Sequence, residues 1–377
     1  MQQGRQQRVV IGMIDGMGME YFTAQELPAL RQLAARGLFR QVSGLMPSIT
    51  NVNNVSICCG AYPAEHGITG NSYFDPLQGR EDYMEDARLL LAPTLFQRAA
   101  ALGIQSALLT SKKKTLSLLG SGAALKLAAE APAEEFVARY GSAPSIYSRE
   151  INYWLWQVAV DLLKERPEIG LVYVHTTDFP MHKWAPEEKA SQEHMQTLDR
   201  LIGQAAAAAP DAAFLLTADH GMNPKRRCWD LQRVCLQQGT QVRYALSAEK
   251  DRYVLHHRTF GGTAYVWLQA PNDLEAVRHT LERVQGVELV LTREQAAERF
   301  HLLPDRIGDV VVIGDKDTVF GELETEGEEL EASYRSHGSL YELAVPLIMS
   351  NFQAGLPEPE TLHYNADLTR QLYRAAH

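Results

Sequence analysis

Three segments place acids and histidines where they could do chemistry. "MIDGMG" carries Asp15, "HTTDFPMH" carries Asp178 and His182, and "TADHG" carries Asp219 beside His220. Each follows or ends a short apolar run, rich in β-branched residues, that reads as a buried strand. In open parallel sheets, ligands bind beyond the carboxyl ends of the strands, so the three acids are expected to crowd one rim. Crowded carboxylates repel unless a cation sits among them, and a divalent metal is the economical solution. Aspartate oxygens and histidine nitrogens suit zinc, while Mn2+ and Fe2+ accept similar donors. Asp178 and His182 lie one helical turn apart, so both can face one ion. Asp219 and His220 can do the same from a sharp turn. His337, in "SHGSLYE", is a further candidate in the loop before the last strand. Taken singly, each piece has a plainer reading as a helix cap, a chance spacing or a turn. Most of the 12 histidines, His256 and His257 included, read as structural. The joint occurrence at strand ends is what points to a metal centre.

Two more stretches belong to the same rim. "MPSITNVNN" starts a helix at Thr50, where a threonine usually acts as a cap. Asn51, Asn53 and Asn54 read as loop-stabilising hydrogen-bonders. "LLTSKKKTLSLLG" puts Lys112, Lys113 and Lys114 just past another strand, a solvated basic turn in the plainer reading.

The elements that must position these residues are strands over 8–15, 106–111, 171–178, 212–219 and 345–351. Helices are expected over 28–37, with Gly37 as the stop, over 92–103, and over 186–209, opening on Pro186. The alternation implies an α/β fold, a mostly parallel central sheet with helices on both faces. Between about 226 and 335 the character shifts to a small α+β insertion, or cap. A hairpin of 251–260 with 261–270 around Gly261–Gly262 leads to a helix over 272–286 and a strand over 287–293. The core is then 1–225 plus 336–377, interrupted by 226–335. The acidic run 321–331 reads as a solvated surface loop. Cys228 and Cys235, seven residues apart, read as packing residues two turns along one helix.

Apolar residues make up 45% of the chain and charged residues 22%, enough for a full core. The net charge of −10 argues against nucleic acid or an anionic membrane surface as partner. The longest apolar runs are too short for a transmembrane helix. The polar start "MQQGRQQRVV" lacks a signal peptide's apolar stretch. The four cysteines form no disulfide framework, so a reducing cytoplasm is the expected location.

Together, "DGMG", "MPSITNVNNVSICCGAYPAEHGITGNSYFD", "TTDFPMHK", "TADHGMNPK", "RSHGSLYELAVP" and, in the insertion, "YVLHH" and "DRIGDVVVIGDKDTVFG" span most of the chain. In this order they resemble the alkaline phosphatase superfamily, its nucleotide pyrophosphatase/phosphodiesterase branch, and within it the phosphonoacetate hydrolases. The resemblance implies two Zn2+ per chain. Asp15, Thr50, Asp219 and His220 would hold one, and Asp178, His182 and His337 the other. Two such metals can clamp both sides of an in-line displacement at phosphorus. Thr50 would be the nucleophile and form a phosphothreonine, which water would hydrolyse. Its helix N-terminus would favour phosphoryl oxygens. Asn71, in "TGNSYFD", matches a residue that donates to a phosphoryl oxygen. In phosphonoacetate hydrolases a K-x-K binds the substrate carboxylate; Lys112 and Lys114 match its spacing and would point the same way from an extended segment. Cations there would stabilise the carbanion-like acetate that C–P cleavage expels. The sequence departs from the family at Val52, where a proline is expected, and at Cys58–Cys59, which read as small packing residues.

The implied function is dizinc hydrolysis of a small anionic phosphonate, phosphonoacetate, to acetate and phosphate. The alternative is a phosphodiester or nucleotide hydrolase using the same site. A non-catalytic phosphonate binder and a phosphomutase rank lower. No nucleic acid or membrane partner is expected, and a homodimer is compatible with this reading.

Overall fold

Val9–Met13 is buried along its whole length, which is why its sequence, VVIGM, shows no polar alternation. It forms β1, the middle strand of a seven-stranded sheet in the computed structural model, which describes residues 7–252 and 258–374. The sheet's other strands are β2 (Gly37–Ser43), β3 (Gln105–Thr110), β4 (Leu125–Ala128), β5 (Ile169–His175), β6 (Ala213–Thr217) and β7 (Ala344–Ser350). Their spatial order is β2-β7-β6-β1-β5-β3-β4. β1 runs parallel to β5 and β6, β3 parallel to β5 and β4. Only β7 is reversed, antiparallel to both β6 and β2. The mostly parallel α/β sheet is therefore present. A strand's apolar pattern marks burial and not direction, so the reversal was not legible.

Several local expectations change. The helix Pro28–Ala35 ends before Gly37, which opens β2 instead. A Cβ on Gly37 would collide with the Met349 carbonyl of β7, so close strand approach, and not helix termination, demands the glycine. The long helix runs Lys189–Ala208 with Glu188 at its N-cap, leaving Pro186 outside it.

The segment proposed as an insertion holds an antiparallel sheet ordered Val242–Ser247, Thr263–Leu268, Val310–Gly314, Val287–Thr292. Thr263–Leu268 thus pairs with Val242–Ser247 and not with 251–260. Alternation identifies a strand but not its partner. Residues 253–257, with His256, His257 and the "YVLHH" match, lie outside the described residues. Cys228 sits on the strand Arg227–Trp229, whereas Cys235 is on the helix Leu231–Gln237. Asp230 between them caps that helix at Arg233 N, so the two cysteines share no helix face. Both are nonetheless buried, as packing predicts. Part of the acidic loop is also structured: Gly327–Glu329 pairs with Arg227–Trp229, and Glu322 and Glu328 form ion pairs with Lys250 and Arg258.

One apolar cluster joins this region to the rest. Ile49, Val52 and Phe74 pack with Leu246, Tyr265, Trp267 and Val311. Val52 therefore spends its branched side chain on holding the Thr50 helix against the sheet formed by residues 242–314. Cys58 and Cys59 are buried in the main apolar cluster, and burial pushes the Cys59 thiol up to about 12. Among the described residues no helix is long and apolar enough to cross a membrane.

The helix Pro28–Ala35 has no cap from its own N-cap residue, Leu27. The carboxylate of Asp199, on the long helix, accepts from Ala29 N at 3.0 Å and Leu30 N at 2.8 Å. Asp199→Ala leaves both amides without that acceptor and should cost about 1–2 kcal/mol, read as a lower urea midpoint. An unchanged midpoint would show that the distant cap is dispensable.

Candidate metal centre

Three strand ends are stitched together before any side chain reaches the rim. Past β1, Asp15 N donates to Thr176 Oγ1 at 2.9 Å, beyond β5. Gly16 N donates to Asp219 Oδ1 at 2.9 Å, beyond β6. Gly16 has φ +75°, and a Cβ there would lie 3.0 Å from the Asp178 Cβ, so only glycine permits this turn. Asn152 clamps Thr177 through both its backbone groups, at 2.8 and 2.9 Å. Asn365 Nδ2 donates to the Ala218 and Asp219 carbonyls.

Asp178 occupies the N-cap of the helix Phe179–Lys183 yet makes no side-chain cap. Its Oδ2 instead lies 2.9 Å from His182 Nε2 and 3.6 Å from His337 Nε2. Thr50 opens the helix Thr50–Cys59, and no side chain caps it. Thr50 Oγ1 faces Asp15 Oδ1 at 3.3 Å and His220 Nε2 at 3.2 Å. The helix-cap reading of both residues therefore fails, and their oxygens point into one basin. Asp15, Asp219, His220 and His337 are fully buried, while Thr50 alone of the rim's nucleophile-type groups remains partly exposed.

The histidines share one device. Nδ1 of His182, His220 and His337 lies 2.8, 2.9 and 2.9 Å from the carbonyls of Arg335, Gly221 and Ser48. A carbonyl only accepts a hydrogen bond, so each ring carries N–H at Nδ1 and turns Nε2 inward. Burial lowers the pKa of His220, and that of His337 strongly, which keeps both rings neutral. Their rings stack with centroids 3.6 Å apart. Burial pushes Asp15 up to about 7, with Asp178 and Asp219 adding to it. Burial also pushes Asp219 up to about 6.

These groups fit a metal. Donor atoms of Asp178, His182 and His337 lie within 4.8 Å of one another, and so do those of Asp15, Asp178 and His220. Asp15 Oδ2, Asp219 Oδ2 and His337 Nε2 are buried with no hydrogen-bond partner among the described residues. Asp178 stands between the two groups, closer to both than the expected division of ligands implied.

The lysines reach the rim by a different route from the one expected. Lys113 opens the helix Lys113–Leu119, so Lys112 is its N-cap and Lys114 lies in its first turn; the segment is not extended. Lys112 is buried. Burial opposes its charge, but Asp178 and Asp15 outweigh that and hold its pKa high. Lys114 pairs with Asp251, and Lys113 is exposed. Asn71 donates from N to the Ala248 carbonyl and from Nδ2 to the Glu249 carbonyl, at 2.9 and 3.0 Å. That leaves one Nδ2–H for a ligand.

Three residues of this region escaped the sequence. His175, at the end of β5, has Nε2 3.5 Å from Asp15 Oδ2. Asn54 Nδ2 lies 3.2 Å from His175 Nδ1, which makes that nitrogen the acceptor and directs Nε2–H at Asp15. Glu249 and Asp251 follow the strand Val242–Ser247. His175 sat in the quoted "HTTD" and its strand-end position was the available signal; Glu249 and Asp251 had none. Of the other asparagines, Asn51 donates to the Gly70 and Met84 carbonyls and Asn53 to those of Leu45, Pro47 and Ile49, as loop-stabilisers should.

Residues 9–340 match the family model of type I phosphodiesterase / nucleotide pyrophosphatase. The bis(5'-adenosyl)-triphosphatase ENPP4 of Homo sapiens is 23% identical over 229 residues, 57% of this chain and 47% of that protein. The chain spans about half the length of the curated relatives it matches. A crystal structure of phosphonoacetate hydrolase from Sinorhizobium meliloti 1021 in complex with phosphonoacetate superposes with TM-score 0.86. It is 31% identical, and the match covers 97% of this chain and 95% of that one. Murine ectonucleotide pyrophosphatase/phosphodiesterase 5, at 17% identity and TM-score 0.67 over 96% and 93% of the chains, shares the fold. The chain belongs to the type I phosphodiesterase/nucleotide pyrophosphatase family, within the alkaline phosphatase superfamily.

Proposed function

We propose that the protein hydrolyses phosphonoacetate to acetate and phosphate at the rim around Thr50. The observation that carries this reading is Lys112, a buried cation set against Asp178 and Asp15 in the basin that Thr50 faces. A phosphodiester leaving group has no use for a buried cation there, whereas a leaving carboxymethyl group does. The likeness to a phosphonoacetate hydrolase over nearly the whole chain supports the same choice.

Asp15, Thr50, Asp219 and His220 would hold one zinc ion, and Asp178, His182 and His337 a second. When bound, such ions act as Lewis acids and lower the pKa of a coordinated hydroxyl or water. The chain's own groups do the rest. The Thr50 hydroxyl gives up its proton to solvent, and its oxygen attacks phosphorus in line with the carbon. The P–C bond breaks, and its electron pair moves onto the methylene carbon and into the carboxylate as an enolate. Lys112 and Lys114 hold that carboxylate while its charge grows. A solvent proton completes acetate. Water then attacks phosphorus and splits the P–Oγ bond, which restores Thr50 and releases phosphate. Asn71 and the first-turn amides of the Thr50 helix donate to the phosphoryl oxygens.

The second reading, hydrolysis of phosphodiesters, is favoured by the curated relatives and uses the same rim without the lysines. Phosphate release across a panel of phosphonates and a nitrophenyl phosphodiester separates the two. Release from phosphonoacetate is expected. Good diester turnover with none from phosphonoacetate would refute the proposal. Lys112→Ala with Lys114→Ala should cut kcat/KM for phosphonoacetate about a hundredfold and for the diester far less. Equal losses would remove the lysines from substrate recognition.

Thr50→Ala should lower phosphate release by about a thousandfold or more. Acid quenching of the wild type during turnover should leave phosphate on the peptide that contains Thr50. A wild-type enzyme that turns over without labelling that peptide would contradict the two-step route. Chelator treatment should also lower the melting temperature. Zinc at a thousand times its Kd should restore about 4 kcal/mol per site. A melting temperature indifferent to both would exclude a zinc site in this rim.

A further inference from the structure

The segment after Val242–Ser247 leaves its own sheet and enters the lysine side of the rim. Core residues fix it at four points. Asn71 holds the Ala248 and Glu249 carbonyls. Glu81, on the strand Arg80–Tyr83, pairs with Lys250 at 2.8 Å. Glu85 pairs with Arg252 at 2.7 Å, and the Arg252 guanidinium lies 4.8 Å over the Tyr83 ring. Asp251, held between Lys250 and Arg252, turns inward, its side chain only 1% exposed. It meets Lys114, whose side chain is 14% exposed.

A lysine on the first turn of a helix is badly placed by default, because the helix dipole disfavours a cation there and the long side chain has many rotamers. A buried carboxylate at a fixed point removes both problems for Lys114. It selects one rotamer and balances the charge. Its position also leaves donors free on the ammonium, which carries three.

We propose that Asp251 is a positioning residue: it orients Lys114 toward the substrate carboxylate and thereby makes selection of a carboxymethyl phosphonate depend on the insertion. The inference rests on the proposed hydrolysis of phosphonoacetate. Asp251 touches no reacting atom. It acts through Lys114, and the core clamps on Lys250 and Arg252 hold it in place.

The test is a double-mutant cycle on the zinc-loaded enzyme, with Asp251→Asn, Lys114→Met, the double variant and the Asp251→Glu rescue. Steady-state kinetics use phosphonoacetate and a nitrophenyl phosphodiester that lacks a carboxylate. Melting temperatures report folding. Asp251→Asn should raise KM for phosphonoacetate and lower its kcat/KM, relative to the diester's, by about tenfold. Asp251→Glu should recover most of that ratio. The double variant should be no worse than Lys114→Met alone, since without the lysine there is nothing to position. Should Asp251→Asn fail to fold, the double variant removes both charges of the buried pair and carries the test. A double variant clearly worse than Lys114→Met would overturn the proposal, as would a ratio unchanged in Asp251→Asn. Wild-type enzyme that releases no phosphate from phosphonoacetate would instead refute the function, before Asp251 enters.

Discussion

Three carboxylates, Asp15, Asp178 and Asp219, are buried within one rim, and the rest of the site follows from that. Burial and mutual repulsion push Asp15 up to about 7, a value an aspartate in water never approaches. Folding such a cluster costs free energy unless cations meet it. The chain supplies part of the answer with Lys112 and leaves the rest to donors that face inward without hydrogen-bond partners. The proposed metal ions complete that balance. The histidines fit the same logic, since a carbonyl at Nδ1 fixes each ring with Nε2 turned inward.

Two of the supporting features turn ordinary helix-start chemistry to another use. Asp178 stands at the N-cap of its helix without capping it, and Thr50 opens a helix whose N-cap, Ile49, has no side-chain acceptor. Their oxygens are thereby left for the rim, and the start of the Thr50 helix keeps amides that suit phosphoryl oxygens. Packing holds the Thr50 helix in place: Val52 and Ile49 tie it into a cluster with Tyr265 and Trp267.

Much of this was legible in the sequence because strand ends are marked twice, by an apolar run and by the polar residue that ends it. Asp15, Asp178, His182, Asp219 and His220 were picked out as candidates from that alone, and the sheet with them, whereas His337 lies in a loop and owed its ligand role to the family resemblance. What was lost had no local signature. The reversal of β7, the partner of Thr263–Leu268 and the reason for Gly37 all depend on a neighbour distant in sequence. The geometry of the lysines was misjudged because Lys113 starts a helix. Glu249 and Asp251 were invisible because only the insertion's return to the rim gives them a role.

An anomalous difference map from a crystal grown with zinc tests the centre most directly. Two peaks are predicted in the rim, one among Asp15, Thr50, Asp219 and His220 and one among Asp178, His182 and His337. A rim without peaks, or zinc bound only elsewhere on the protein, would contradict the claim that these buried carboxylates are built around metal.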